Sequence, residues 1–285
     1  MKMKSGLFLL AGLLLLNADA FSQDTNFWIF LCFGQSNMEG FPGVEPQDKT
    51  NVDNRFQVLA TVDFPKSGRE KGHWYPAVPP LCRPSNGLCP ADYFGRTMVA
   101  NLPKNIRVGV VVVAVAGCKI ELFEKTNYQA YASTAPSWMK NIIKQYDGDP
   151  YGCLVDMAKR AQKDGVIKGI LLHQGESNTG DRQWPDKVKG IYENLAKDLN
   201  LKPEKVPLLA GEVVNADEHG ACASMNKIID VLPGTIPNSY VISSAGCAAR
   251  PADHLHFTPA GYRELGKRYA ETMLPLLGYK NIGPE

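Results

Sequence analysis

The sequence contains no Cys-x-x-Cys pair, no Gly-x-Ser-x-Gly elbow and no Gly-x-Gly-x-x-Gly loop. These absences remove the common zinc-site spacing, the α/β-hydrolase nucleophile turn and the dinucleotide-binding fingerprint. No run of five like charges occurs, and 31 basic against 29 acidic residues leave a formal net charge of +2. Without Lys2, Lys4 and Asp19 of the N-terminal segment, 29 basic residues face 28 acidic ones. So even a balance gives no electrostatic ground for a nucleic-acid or anionic-membrane partner. Internal repeats and low-complexity linkers are also missing. Past the N-terminal segment, no apolar run approaches the roughly 20 residues needed to span a bilayer. The nearest, 106–116, reads as a strand.

What is present begins with a leader. Lys2 and Lys4 precede an apolar stretch over 6–16, and Ala18-Asp19-Ala20 supplies the small residues that a signal peptidase requires. The layout predicts a signal peptide over 1–20, cleaved after Ala20, and a secreted or periplasmic product with no membrane attachment. Seven cysteines make an odd count, so at least one thiol is left over. Export permits disulfides, and Cys82–Cys89 and Cys222–Cys247 are the expected pairs. Cys32, Cys118 and Cys153 lie in apolar contexts and read as buried small hydrophobes.

With 44% hydrophobic and 21% charged residues, the chain can bury a sizeable core. Apolar runs at 27–33, 107–116, 169–173, 206–211 and 239–243 alternate with helical patterns at 92–101, 151–164, 186–199, 224–231 and 259–276. Continuously apolar short strands suit a parallel sheet covered on both faces. Thr258-Pro259 marks the start of the last helix, a capping hydroxyl followed by proline at the first helical position. The alternation predicts an α/β fold: a single three-layer α/β/α domain, residues 21–285, around a mostly parallel five-stranded sheet. Residues 40–90 break the pattern. They are rich in Pro and Gly and read as an irregular insertion lining one side of the site.

Candidate chemistry clusters at strand ends, where open α/β sheets bind ligands. Ser36 follows the first strand in Gly34-Gln35-Ser36-Asn37. It reads equally as a nucleophile or as a helix N-cap. Asp253 and His256, three apart before the last helix, allow the carboxylate to hold one imidazole nitrogen while the other faces Ser36. His254 competes for that role, but its neighbour Asp253 would point the opposite way in an extended segment. A His254-x-His256 metal site lacks further ligands at matching spacing, so no metal or cofactor is expected. Gly117 ends the strongest strand, where its backbone N–H can approach a ligand. The Ser36 N–H, the Gly117 N–H and the Gln174 amide are candidate oxyanion donors, with Asn178 as the alternative to Gln174. His173 lines the pocket or is a hydrogen-bonded structural residue. Glu176 contacts substrate or braces the loops. Gln35 is a candidate substrate contact, and Trp74 a candidate for stacking on a sugar ring or simply for packing.

Together, Gly34-Gln35-Ser36-Asn37, Ala116-Gly117, Gln174-Gly175-Glu176-Ser177-Asn178 and Asp253-x-x-His256 resemble the four blocks of the SGNH/GDSL hydrolase superfamily. The branch is that of carbohydrate O-acetylesterases, which includes family 6 acetylxylan esterases and sialate O-acetylesterases. The resemblance runs from about Asn26 to the last helix and extends to His73-Trp74-Tyr75-Pro76-Ala77. It implies a flavodoxin-like fold, a Ser36–His256–Asp253 triad and an acetylated carbohydrate substrate, with acetylated xylan foremost. A sialate or short-chain ester hydrolase of the same fold, or a non-catalytic carbohydrate-binding protein, are the competing expectations.

Overall fold

The computed structural model describes residues 23–41 and 43–280; the expected signal peptide lies outside the described residues. Seven strands form one sheet: β1 (Asp24–Gly34), β2 (Phe56–Leu59), β3 (Trp74–Pro76), β4 (Arg107–Ala114), β5 (Gly165–His173), β6 (Leu208–Gly211) and β7 (Ser239–Ile242). Their order is β3-β2-β4-β1-β5-β6-β7, and every pair is parallel except β2–β3. The five expected strands are β4, β1, β5, β6 and β7. The two additional ones come from the supposedly irregular insertion. Phe56, Val58 and Leu59 are buried, but the run has four residues and sits among Pro and Gly. The insertion thus widens the sheet at one edge.

Between the strands run α1 (Ser36–Glu39), α2 (Pro46–Lys49), α3 (Pro90–Asn101), α4 (Tyr128–Thr134), α5 (Ser137–Lys144), α6 (Pro150–Ala161), α7 (Trp184–Asp198), α8 (Asn226–Ile229) and α9 (Leu232–Thr235), and α10 (Pro259–Leu276) follows β7. The longer starts are chemically explicit. Thr258 Oγ1 accepts the Gly261 N–H at 3.2 Å ahead of Pro259, and Asp149 Oδ1 accepts the Gly152 N–H at 2.8 Å ahead of Pro150.

Alternation along β1 builds two cores. Ile29, Leu31 and Phe33 face the layer containing α6 and α7, while Trp28, Phe30 and Cys32 face α3 and α10. The chain leaves β1 for β2 and β4 on one side, then crosses to β5, β6 and β7 on the other. The carboxyl ends of β4, β1 and β5 flank this change of direction, the place where doubly wound sheets hold ligands.

All seven cysteines are free thiols, so neither expected disulfide is formed. Cys82 Sγ instead lies 3.2 Å from Tyr146 Oη, Cys89 caps α3 through its backbone, and Cys222 Sγ approaches the Glu176 carbonyl at 3.7 Å. Cys32, Cys118 and Cys153 are buried as expected. No helix among the described residues is long and apolar enough to cross a membrane.

Candidate active site

Gly34 decides where Ser36 sits. Its φ of +152° and its closeness to β5, where an added Cβ would lie 2.0 Å from the His173 carbonyl oxygen, admit no side chain. The chain therefore turns tightly, the Gln35 N–H bonds the His173 carbonyl at 3.1 Å, and α1 begins at Ser36. The side chain of Ser36 caps nothing. It lies 2.9 Å from His256 Nε2. His256 Nδ1 is 3.0 Å from Asp253 Oδ2, and Asp253 Oδ1 accepts the backbone N–H groups of Leu255 and His256 at 3.0 and 3.1 Å. Burial pushes the Asp253 carboxyl up, but the Leu255 N–H and then the His256 ring and N–H outweigh it and bring it to about 2. Arg250 Nη1 also bonds Asp253 Oδ2 at 2.9 Å. His254, held at φ +48°, turns its ring away to the Glu218 carbonyl at 3.2 Å.

Two backbone donors stand beside this triad of side chains. Ser36 is the first residue of α1, so its N–H has no intrahelical acceptor. Gly117 is exposed, with φ +66°. Neither N–H meets an acceptor among the described residues. The Gly117 peptide is fixed from two sides. Ser177 Oγ donates to its carbonyl at 2.9 Å, and the preceding Ala116 N–H donates to Glu39 Oε1 at 3.2 Å. Glu39 is buried and ion-paired with buried Arg83; burial raises its pKa, against the pull of Arg83.

Gln174 differs from expectation. Its amide nitrogen faces Gln35 Oε1 at 3.0 Å, the Cys118 carbonyl at 3.2 Å and Asn178 Oδ1 at 2.8 Å, while its oxygen accepts Trp184 Nε1–H. Two protons already have three internal acceptors, so none is left for an oxyanion. Asn178 is no substitute, because its amide protons go to Glu121 and Asp181 at 3.0 and 3.1 Å. What Gln174 does is anchor Gln35, whose Oε1 also accepts the Ser177 N–H at 3.3 Å. The Gln35 amide nitrogen has no acceptor among the described residues and is the side-chain donor next to Ser36.

Three other expected contacts lie elsewhere. His173 is fully buried, edge-on to Phe257 and 3.4 Å from Tyr269 Oη, and burial alone lowers its pKa to about 3. It is a neutral core residue. Trp74 packs on Phe27 at the opposite end of β1 and bonds Asp164 at 2.9 Å, so it does not reach the site. Glu176 is buried behind the nucleophile. Asn37 donates to its Oε1, bonds the Leu255 carbonyl at 3.0 Å through the same amide and accepts from Tyr262. Its Oε2 is buried with no partner, and burial raises the carboxyl to about 7.

Sequence reasoning missed Asn37, Arg250 and the aromatics at the rim. Phe41 stacks on His256, ring centroids 4.0 Å apart, and Trp138 stands over Gly117. The position of Trp138 beside the apolar Met139 and Ile143, off their buried face, was the available signal. Among the described residues, no three of His, Cys, Asp and Glu gather to hold a metal ion.

A doubly wound, mostly parallel sheet that brings a serine, an aspartate-bound histidine and free backbone donors to its switch point has the layout of a serine hydrolase. A family profile described as carbohydrate esterase, sialic acid-specific acetylesterase matches residues 26–275, and the chain belongs to that family. It is a carboxylic ester hydrolase of the carbohydrate acetylesterase kind. Solved structures share the fold. An Arabidopsis thaliana protein aligns at 20% identity over 87% of this chain and 98% of its own, TM-score 0.66. NanS aligns at 16% identity over 90% and 99%, TM-score 0.64. A Xanthomonas citri protein titled a novel carbohydrate acetylesterase aligns at 18% identity over 85% of this chain and 55% of its own, TM-score 0.59.

Proposed function

We propose that the protein is a secreted serine esterase that removes O-acetyl groups from carbohydrate by two-step acyl transfer. The 2.9 Å contact between Ser36 Oγ and His256 Nε2 carries this reading, because it is the distance at which a base takes a hydroxyl proton. His256 accepts the Ser36 proton as Oγ attacks the acetyl carbonyl carbon. Asp253 fixes the imidazole tautomer and stabilises the imidazolium, and its low pKa keeps it ionised. The Ser36 and Gly117 N–H groups receive the oxyanion, each donor contributing about 3–4 kcal/mol to the transition state. The C–O bond to the sugar then breaks, and the sugar oxygen leaves with the proton from His256. Water, deprotonated by the same imidazole, attacks the acetyl-Ser36 carbonyl and releases acetate. Gln35 offers its amide nitrogen to the substrate.

Acetylated xylan is the first substrate, from the sequence blocks. The description of the matching family favours a second, O-acetylated sialic acid. Acetate release from acetylated xylan, O-acetylated sialic acid and longer-chain esters decides between them. Ser36→Ala should lower release from the preferred substrate by at least about three orders of magnitude with the fold intact. Near-normal release by that variant removes the nucleophile assignment. Binding of glycan with no release by the wild type points to a non-catalytic lectin instead.

A further inference from the structure

Exposed large apolar side chains need no explanation when scattered, and four occur among the described residues: Phe41, Trp138, Val231 and Leu276. Two of the four border the candidate active site, on different sides of it. Phe41, 48% exposed, lies against the His256 imidazole, with the Arg250 guanidinium 5.0 Å from its ring centre. Trp138, 52% exposed, stands at the other border. A Cβ built on Gly117 would meet its Cη2 at 2.8 Å and its Cζ2 at 3.6 Å. The indole therefore lies against the Gly117 loop through its six-membered ring, with about half of its surface open to solvent. No acceptor among the described residues takes its Nε1–H.

Helix anchoring does not account for Trp138. Its neighbour Met139 and Ile143 are the buried residues of α5, and Met139 Sδ receives the Tyr131 hydroxyl at 3.8 Å. The same hydroxyl accepts the Lys119 N–H at 3.0 Å. These contacts pin α4 and α5 to the loop that follows Gly117, beside which the indole sits. A large flat apolar surface with an unpaired N–H donor, beside a backbone donor awaiting an ester carbonyl, has the chemistry that a pyranose ring fits: C–H groups on the ring face, hydroxyls at its rim.

We propose that Trp138 is the stacking platform for the sugar ring of the acetyl ester, with Phe41 as the apolar border on the His256 side, so that specificity for carbohydrate esters is set largely by Trp138. The inference rests on the esterase reading above. It places the acetyl carbonyl at the Gly117 N–H and the ring on the adjacent indole face.

The test compares Trp138→Ala and Trp138→Phe with wild type on three substrates: the acetylated sugar preferred by the wild type, ethyl acetate and ethyl hexanoate. Trp138→Ala should reduce kcat/KM on the acetylated sugar about tenfold more than on ethyl acetate, mainly by raising KM, and Trp138→Phe should restore part of it. Equal losses on sugar and ethyl acetate overturn the proposal and make Trp138 a support for the Gly117 loop. A loss greatest on ethyl hexanoate overturns it too, by placing an acyl chain on the indole. Thermal unfolding of each variant separates these outcomes from misfolding. Failure of the wild type to release acetate from any glycan would sink the esterase reading itself, whatever Trp138 does.

Discussion

His254 and His256 stand two positions apart, yet the backbone gives them different surroundings. The left-handed φ at His254 swings its ring to the Glu218 carbonyl, whereas His256 faces both Ser36 and Asp253. His256→Ala should cost at least about three orders of magnitude in kcat/KM on an acetyl ester, and His254→Ala less than about tenfold. Steady-state kinetics on the two variants check this, and the reverse ranking would exchange their roles. Asp253-x-x-His256 was legible because a three-residue spacing in a tight loop is a local matter. The buried carboxyl of Glu176 was not, because its solvation depends on α1, α10 and the 222 region arriving from far along the chain. Its raised pKa has a consequence for stability. The unfolded carboxyl ionises near 4.5 and the folded one near 7, so the folded state holds more protons between those values. Stability then falls as pH rises through that window, by about 3 kcal/mol from this group, and the loss is complete above it. Asp92, also raised to about 7 by burial, acts in the same direction. Glu176→Gln should flatten the decline without abolishing it, as measured by urea denaturation from pH 5 to pH 8. An unchanged slope would contradict the assignment.

At the scale of elements, the strand ends explain why four short blocks separated by long stretches of sequence meet. β1, β4 and β5 are adjacent, so Ser36, Gly117 and the loop from Gln174 emerge side by side. Apolar runs exposed β1, β4 and β5, each eight residues or longer, and β6 and β7, whose four residues lie in the runs 206–211 and 239–243; periodicity exposed α10. It could not expose β2 and β3, of four and three residues, whose existence depends on pairing with β4 and with each other. For the same reason Trp74 looked like a site residue. Its place in the supposed insertion suggested a loop beside the site, while β3 is the edge strand and the indole packs on Phe27 and bonds Asp164, away from Ser36. The insertion contributes Phe41, stacked on His256, and Arg83, which pairs with Glu39 and thereby holds the Ala116–Gly117 turn. Arg83→Met should strand a buried carboxylate and destabilise the protein by about 3–5 kcal/mol. Denaturant unfolding at pH 8 checks it, and a change below about 1 kcal/mol would show that the pair does not support the turn.

For the whole molecule, the decisive feature is where the sheet changes direction. Chain order places β2 and β4 to one side of β1 and β5, β6 and β7 to the other, and the loop before α10 returns to deliver Asp253 and His256 to the crevice. The molecule therefore assembles its chemistry from residues more than 200 positions apart, although no single segment announces it. Membership of a carbohydrate esterase family over residues 26–275 agrees with that architecture. The nucleophile itself can be read directly. A fluorophosphonate reacts with an activated serine hydroxyl and stays on it, and peptide mass spectrometry locates the adduct. The adduct should fall on Ser36, vanish in Ser36→Ala and form far more slowly in His256→Ala. An adduct on any other residue, or labelling as fast without His256, would contradict the account.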